Sequence, residues 1–389
     1  MTADSSQVYF SAEHEAFRRS VRAFLDKQIA PHAADWERNR EMPRWAWLAF
    51  AADGLLGLNH PRSAGGAERD FFHSVVFLEE LGRTGFGGVR FAVALHSYMA
   101  TSYLASGGSS DLRRRYLAPA VTGEKIAALA ITEPQAGSDL TGLAATAREE
   151  GGQLIVDGEK RFIVNGGFAD FFVTAVRTDG PLGSTGHSNL SLCVMDRASD
   201  GVRIVPNDCV SWRACAMADL SFRGVRVPEA NVIGRRNSGF TQIMKNMQLE
   251  RLAAAITAIG DAAHCLDLTW RFLSRRAMFS TTLAAKQVVR HQMAELLTEL
   301  EAARQLVYHA AWRYARDPLS ITECSMAKLK ATELARIVAE ECQHLHGAEG
   351  YREGSHIVRV VQDAQAATVA AGASEVMRDI IARSGYEEG

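Results

Sequence analysis

LIVDGEKRFIV, residues 154–164, is where the chain changes character. Its apolar residues run as in strands, and Asp157-Gly158 stands between two such runs, the pair that most strongly predicts a two-residue hairpin turn. From about residue 123 to 236 the same style persists: short runs of valine, isoleucine and phenylalanine, punctuated by glycine, asparagine and aspartate. AALAIT (127–132), DFFVTAVRT (170–178), LSLCVMD (190–196), VRIVP (202–206) and ADLSFRGVRVP (218–228) complete a set that predicts a small barrel or sandwich. RTDGPLGSTGHSN, 177–189, reads as a mobile surface loop.

On both sides of this segment the periodicity is helical. SAEHEAF opens with an imperfect capping box, Ser11 with His14, and AFRRSVRAFLDKQIAP repeats apolar residues every three or four positions until Pro31, where a stop is expected. PRWAWLAFAADGLLGL and DFFHSVVFLEELGR continue the pattern. Beyond Gly239 four helices are expected over 240–273, 283–316, 320–346 and 374–384, joined at ARDPLS and HGAEGYREGS, which reads as an antiparallel bundle. The fold class is α+β, in three domains: helical (1–122), β (123–236) and a C-terminal four-helix bundle (237–389).

Composition narrows the partners. With 389 residues, 47% apolar and 23% charged, the chain is long enough for several cores. A balance of 43 basic against 45 acidic residues gives no footprint for nucleic acid or an anionic membrane surface. The six cysteines form no CxxC pair, which argues against a disulfide framework and a thiolate zinc site and fits a reducing cytoplasm. The N-terminus has no apolar signal region, and no stretch approaches 18 uninterrupted apolar residues, so neither export nor membrane spanning is expected.

Several chemistries find little support. GFGGVR, 85–90, lacks the last glycine of a dinucleotide loop and follows a helix rather than a strand. His344 and His346, two apart on a helix, diverge by about 200°, so packing at a helix end is favoured over a metal. No GxSxG occurs. ITEPQAGSDL, 131–140, is more informative: a strand exit stiffened by Pro134, with small residues through which backbone can approach a flat or phosphorylated ligand.

ITEPQAGSD, then KRFIVNGG, SWRACAMADLSFRGVRVP, MQLERL, HLHGAEGY and GASEVMRDIIAR together resemble the acyl-CoA dehydrogenase family in motif, order and spacing, over nearly the whole chain. The resemblance implies an FAD enzyme that takes two hydrogens from an acyl thioester and hands electrons to an electron-transferring flavoprotein. It also implies a homodimer or homotetramer in which neighbouring subunits share FAD sites. The segment Leu129–Ser138 would line the flavin, with Ile131, Thr132 and Gly137 along it and Ser138 reaching the CoA or pantetheine portion. Phe162, Ile163 and Val164 would cover the other side, although residue 164 is a threonine in the family pattern. Arg276, Phe279 and Gln287 would reach the FAD of the partner subunit. His344, His346 and Gly347 would approach the diphosphate and adenosine end, and Ala373, Ser374 and Glu375 would complete that wall.

In most relatives the catalytic glutamate stands just before the last helix, where this chain has VAAGAS and Ala371. Ala371 keeps the backbone N–H that would bind the thioester oxygen, but it cannot be the base. One branch of the family, with the isovaleryl and long-chain enzymes, carries the base on a bundle helix just before an arginine. That position here is Glu250, followed by Arg251, in MKNMQLERLAAAITAIG (244–260). The resemblance therefore makes Glu250 the base, its pKa raised by burial, with Arg251 holding the segment around Ala371 and Gly372 and Gln248 beside the substrate. An acyl group on a carrier protein, or a flavin monooxygenase or oxidase on the same scaffold, are the alternative readings.

Overall fold

The computed structural model describes residues 8–178 and 189–386; of the stretch read as a surface loop, 179–188 lie outside the described residues. By packing, the chain divides into two units, one of Met1–Pro31, Phe71–Arg90 and Gln248–Gly389, the other of His32–Asp70 and Phe91–Met247.

The second unit is built on one seven-stranded sheet. Its strands are β1 (Ala127–Ala130), β2 (Thr146–Glu150), β3 (Gln153–Ile163), β4 (Phe171–Arg177), β5 (Leu190–Asp196), β6 (Val202–Pro206) and β7 (Ala218–Pro228). The order is β1-β4-β2-β3-β7-β6 with β5 also on β4, so the small β domain expected as a barrel or sandwich takes the form of a half-barrel. Phe172, Val176, Leu220 and Phe222 lie in its core. Strand β2 escaped the sequence reading because TAREE has one buried side chain and a largely charged, exposed remainder.

The hairpin expected at Asp157-Gly158 does not form, and both residues sit inside β3. The chain turns instead at Gly151-Gly152, whose φ values of +61° and +75° suit a tight turn between β2 and β3. Gly158 serves a bulge: the register slips between Val156 and Gly158, and a Cβ there would lie 2.6 Å from the Ala145 Cβ. The Asp157 carboxylate accepts the Gly224 N–H at 2.7 Å.

Two buried histidines hold the entry to β1 and its surroundings. His96 accepts the Ala127 N–H on Nδ1 at 3.1 Å and donates from Nε2 to the Ala120 carbonyl at 3.1 Å, an arrangement open only to the neutral ring. His60 pairs through Nε2 with the Thr101 hydroxyl at 2.9 Å. Burial pushes both down to about 4. For a lowered histidine, stability is complete above its ordinary value near 6.5 and is lost as pH falls toward 4. Thermal unfolding is therefore expected at progressively lower temperature between pH 6.5 and 4, and an unchanged midpoint across that window would contradict this.

In the first unit, Ser11 and His14 do form a capping box, completing the pattern suspected from the sequence. Pro31 does not end the helix: a π turn at Leu25–Ile29 widens the ladder just before it, and helix continues over Ala30–Asn39. Bundle helices run over Gly239–Arg275, Gln287–Tyr314, Ile321–Leu345 and Ser374–Tyr386. A further helix, His356–Ala367, lies where the sequence reading had only a connection. Glu79 ties three elements together, accepting from Arg18 at 3.0 Å, Arg304 at 3.3 Å and Tyr308 at 2.6 Å. By length and composition Gly239–Arg275 could cross a membrane, but 78% of its most apolar window is buried inside the protein, as in a core helix.

Candidate functional site

Each unit presents its own group of site residues. In the sheet unit, β1 ends at Ala130 and hands on to Ile131 and Thr132, both half-buried. Glu133 then turns inward and collects four donors: Lys160 Nζ at 2.6 Å, the Ala144 and Ala145 N–H groups at 2.7 and 3.1 Å, and Gln135 Nε2 at 2.8 Å. Lys160, fully buried, also donates to the Ile131 carbonyl at 3.1 Å. Burial lowers the Lys160 ammonium below its ordinary value, and Glu133 pulls it back. The Arg161 N–H donates to the Thr132 carbonyl at 2.9 Å, so ITEPQAGS and KRFIV are locked side by side.

Immediately after Lys160 the β3–β7 register slips again, before Ile163. The irregularity turns Phe162 outward, with φ of +56° and half its surface exposed. An aromatic residue in the left-handed region is an outlier of the kind that clusters at ligand sites. Asp219 secures it, accepting from the Phe162 N–H at 3.0 Å, Arg161 Nε at 3.2 Å and Asn207 Nδ2 at 2.9 Å. Against the rise that burial alone would cause, Asn207, Phe162 and Arg161 hold the Asp219 carboxyl below its usual range. Ile163 packs into the sheet core and Val164 is buried, so only Phe162 of the three offers an exposed ring. Leu129 is half-buried in β1, while Gly137 and Ser138 are exposed beyond the Glu133–Ala136 bridge.

In the bundle unit the long helix buries Gln248, Glu250 and Arg251 at 3%, 7% and 4% exposure. A solvated charge pair of no consequence is excluded by those values. Arg251 Nη1 donates to Gln248 Oε1 at 2.9 Å and to Ser325 Oγ at 3.3 Å. Burial lowers the guanidinium below its ordinary value, with the Cys324 thiol and Glu250 acting in the opposite direction. Glu250 thus acts on its neighbour through space, although adjacent helical side chains diverge.

Across from this helix runs the turn between His356–Ala367 and Ser374–Tyr386. Ala371 has φ of +53° and Gly372 +102°. A Cβ at Gly372 would lie 2.6 Å from the Met377 Cε and 3.9 Å from Arg251 Nε. Arg251 therefore packs against the Ala371–Gly372 turn. Gly372→Ala is expected to displace Met377 or the turn and to slow turnover by roughly 10²-fold, since shifts near 1 Å have that effect on reacting geometry. Unaltered turnover would show that the turn's position does not matter.

A separate cavity of about 850 Å³ in the same unit is lined by Phe272, Arg276, His344, His346, Gly347 and other residues. The His346 ring stacks on Phe272 at 4.4 Å, and its Nδ1 donates to the Cys342 carbonyl at 2.8 Å. Arg276, two imidazoles and Gly347, where a Cβ would meet nothing within 4 Å, suit an anionic group beside an aromatic one. Phe279 stands 91% exposed with φ of +55° on a hairpin outside this lining, and Gln287 begins the next helix, exposed. Ser374 is buried and donates to the Thr368 carbonyl at 3.4 Å, Ala373 is half-buried beside it, and Glu375 faces solvent. Glu133, Lys160, Asp219 and Ser325 were missed by the sequence reading. The available signal was Glu133, a glutamate directly after the apolar run AALAIT.

Family models described as acyl-CoA dehydrogenase N-terminal, middle and C-terminal domains match residues 11–124, 128–225 and 237–386. A long-chain specific acyl-CoA dehydrogenase of mitochondria from Sus scrofa is 33% identical over 96% of this chain and 86% of its own. A 3-(aryl)acrylate reductase from Clostridium sporogenes is 31% identical over 96% of this chain and 99% of its own. The crystal structure of an acyl-CoA dehydrogenase from Geobacillus kaustophilus superposes with a TM-score of 0.92 at 37% identity, covering 97% and 98% of the two chains.

Proposed function

The chain belongs to the acyl-CoA dehydrogenase family of FAD-dependent oxidoreductases acting on CH–CH bonds, and on that premise we propose that Glu250 is the base that takes the α-proton of an acyl thioester. The observation that supports this is the burial of Glu250 beside Arg251, together with the closeness of Arg251 to Gly372, where an added Cβ would lie 3.9 Å from Arg251 Nε. Ala371 itself has no acid.

In this reading the Glu250 carboxylate accepts the α-proton, and the Ala371 N–H donates to the thioester oxygen as enolate charge develops there. FAD, when bound, supplies the acceptor for the β-hydrogen, which leaves as hydride to give the 2,3-unsaturated thioester. Arg251, held by Gln248 and Ser325, keeps the turn in place. Within the sheet unit, the strained Phe162 ring and the Thr132 segment fit a flat cofactor; within the bundle unit, the donors of the 850 Å³ cavity fit a diphosphate and adenosine group. A homo-oligomer, electron transfer to an electron-transferring flavoprotein, and work in a reducing cytoplasm, which suits six free cysteines, complete the proposal.

The test is anaerobic bleaching of the FAD-loaded protein by butyryl-, isovaleryl-, octanoyl- and palmitoyl-CoA, and by the same acyl groups on a carrier protein. Bleaching by one member of the panel, lost in Glu250→Gln, is expected. Bleaching by none would contradict the proposal and favour oxygen chemistry on this scaffold. Because one relative is named a reductase, reoxidation of the reduced flavin by the matching unsaturated thioester is measured alongside.

A further inference from the structure

The turn that carries Ala371 is fastened at its root by a residue the reaction has not yet used. Lys328, on the Ile321–Leu345 helix, is fully buried, and its Nζ donates to the Thr368 carbonyl at 3.0 Å. That carbonyl also receives the Ser374 N–H at 3.0 Å and the Ser374 hydroxyl at 3.4 Å. Thr368 and Ser374 are thus the two ends of the turn, and Lys328 grips the point where they close. Three residues earlier on the same helix, Ser325 holds Arg251, which packs against Gly372. Residues three apart share a helix face, so one face of Ile321–Leu345 braces both Arg251, the neighbour of Glu250, and the turn that bears the Ala371 N–H.

Burying an ammonium is costly unless it is bound, and here the hydrogen bond goes to a backbone carbonyl rather than to a carboxylate. A methionine would fill similar volume without that cost. We propose that Lys328 is a positioning residue of the Glu250–Ala371 centre, its ammonium holding the Thr368 carbonyl so that the Ala371 N–H is aimed at the thioester oxygen. The inference rests on the function proposed above. It assigns to Lys328 no contact with substrate or flavin.

The charge on Lys328 is titratable in an accessible range. Burial pushes it down to about 8; Glu333 on its own helix and Glu375 on the last helix act to raise it, and Arg251 on the long helix to lower it. A neutral amine still donates, but a charge-assisted bond is roughly twice as strong. The grip on Thr368 therefore weakens as pH rises through about 8.

The experiment is anaerobic stopped-flow bleaching of the FAD-loaded full chain, from pH 6 to 9.5, with whichever CoA thioester of the panel bleaches wild type fastest. Wild type is expected to lose rate near pH 8. Lys328→Met is expected to bleach about 10- to 100-fold more slowly, with half-saturating thioester within about threefold of wild type and no decline near pH 8. Lys328→Gln, which keeps a neutral donor, should recover part of the rate and also lack the decline. Lys328→Met at wild-type rate with an unchanged pH profile would overturn the proposal. If Lys328→Met fails to hold flavin, Lys328→Gln at full rate, or no wild-type decline near pH 8, overturns it. A wild-type protein bleached by no thioester overturns the underlying function instead, and is told apart by that.

Discussion

Replacing Lys160 by methionine is expected to destabilise the protein by about 3–5 kcal/mol and to release its flavin. The estimate follows from what remains. Glu133, 4% exposed, would keep its hydrogen bonds to Ala144, Ala145 and Gln135 but lose the one cation bonded to it among the described residues, leaving a buried carboxylate uncompensated. Buried charges whose partner is removed have costs in this range, whereas exposed pairs are worth at most about 1 kcal/mol. Arg148 with Asp157 on the same sheet is such an exposed pair, so Arg148→Met serves as the control. The functional effect arises because Lys160 binds Glu133 and the Ile131 carbonyl, while its neighbour Arg161 donates its backbone N–H to the Thr132 carbonyl. Losing it frees the β1 exit from the strained Phe162 segment. Urea unfolding and flavin retention on gel filtration measure both effects; a shift below about 1 kcal/mol with full flavin would show that the pair does not staple the site.

The largest effect on activity is expected from Glu250→Gln. Glutamine keeps the shape of the side chain but is not a base at accessible pH, so proton abstraction should fall by at least about 10⁴-fold while folding and flavin content stay near wild type. Arg251 keeps its hydrogen bonds to Gln248 and Ser325 in this variant. Moving the carboxylate back to position 371 is a sharper form of the same idea. Residue 371 already tolerates a left-handed φ with a Cβ, so Glu250→Gln with Ala371→Glu is expected to recover measurable turnover from the other side of the turn. Equal inactivity of the single and double variants would leave only the loss in Glu250→Gln as support.

The long amphipathic helices and the valine- and phenylalanine-rich strands were legible because burial imposes a period that the sequence repeats. The failures have local physical causes. Asp157-Gly158 looked like a turn because turns and bulges demand the same permissive backbone, and only the closeness of Ala145 shows which was needed. Pro31 looked like a stop because the π turn that accommodates it has no sequence signature of its own. His356–Ala367 was overlooked behind a polar, glycine-containing connection. At the site, Glu250, Arg251 and the turn at 371–372 were found through family resemblance, since a lone glutamate on an alanine-rich helix carries no chemical signal by itself. Glu133 with Lys160, and Lys328 with Thr368, join residues 27 and 40 apart. Such partners are set by packing and not by any local pattern.

The central claim is that the base stands on the long helix and not on the turn before the last helix. Anaerobic single-turnover bleaching of FAD-loaded wild type and Glu250→Gln, with the thioester that bleaches wild type fastest, tests it most directly. Rapid bleaching of wild type and loss of at least about 10⁴-fold in the variant, at equal flavin content, is the predicted result. Bleaching of Glu250→Gln at a rate within about tenfold of wild type would contradict it.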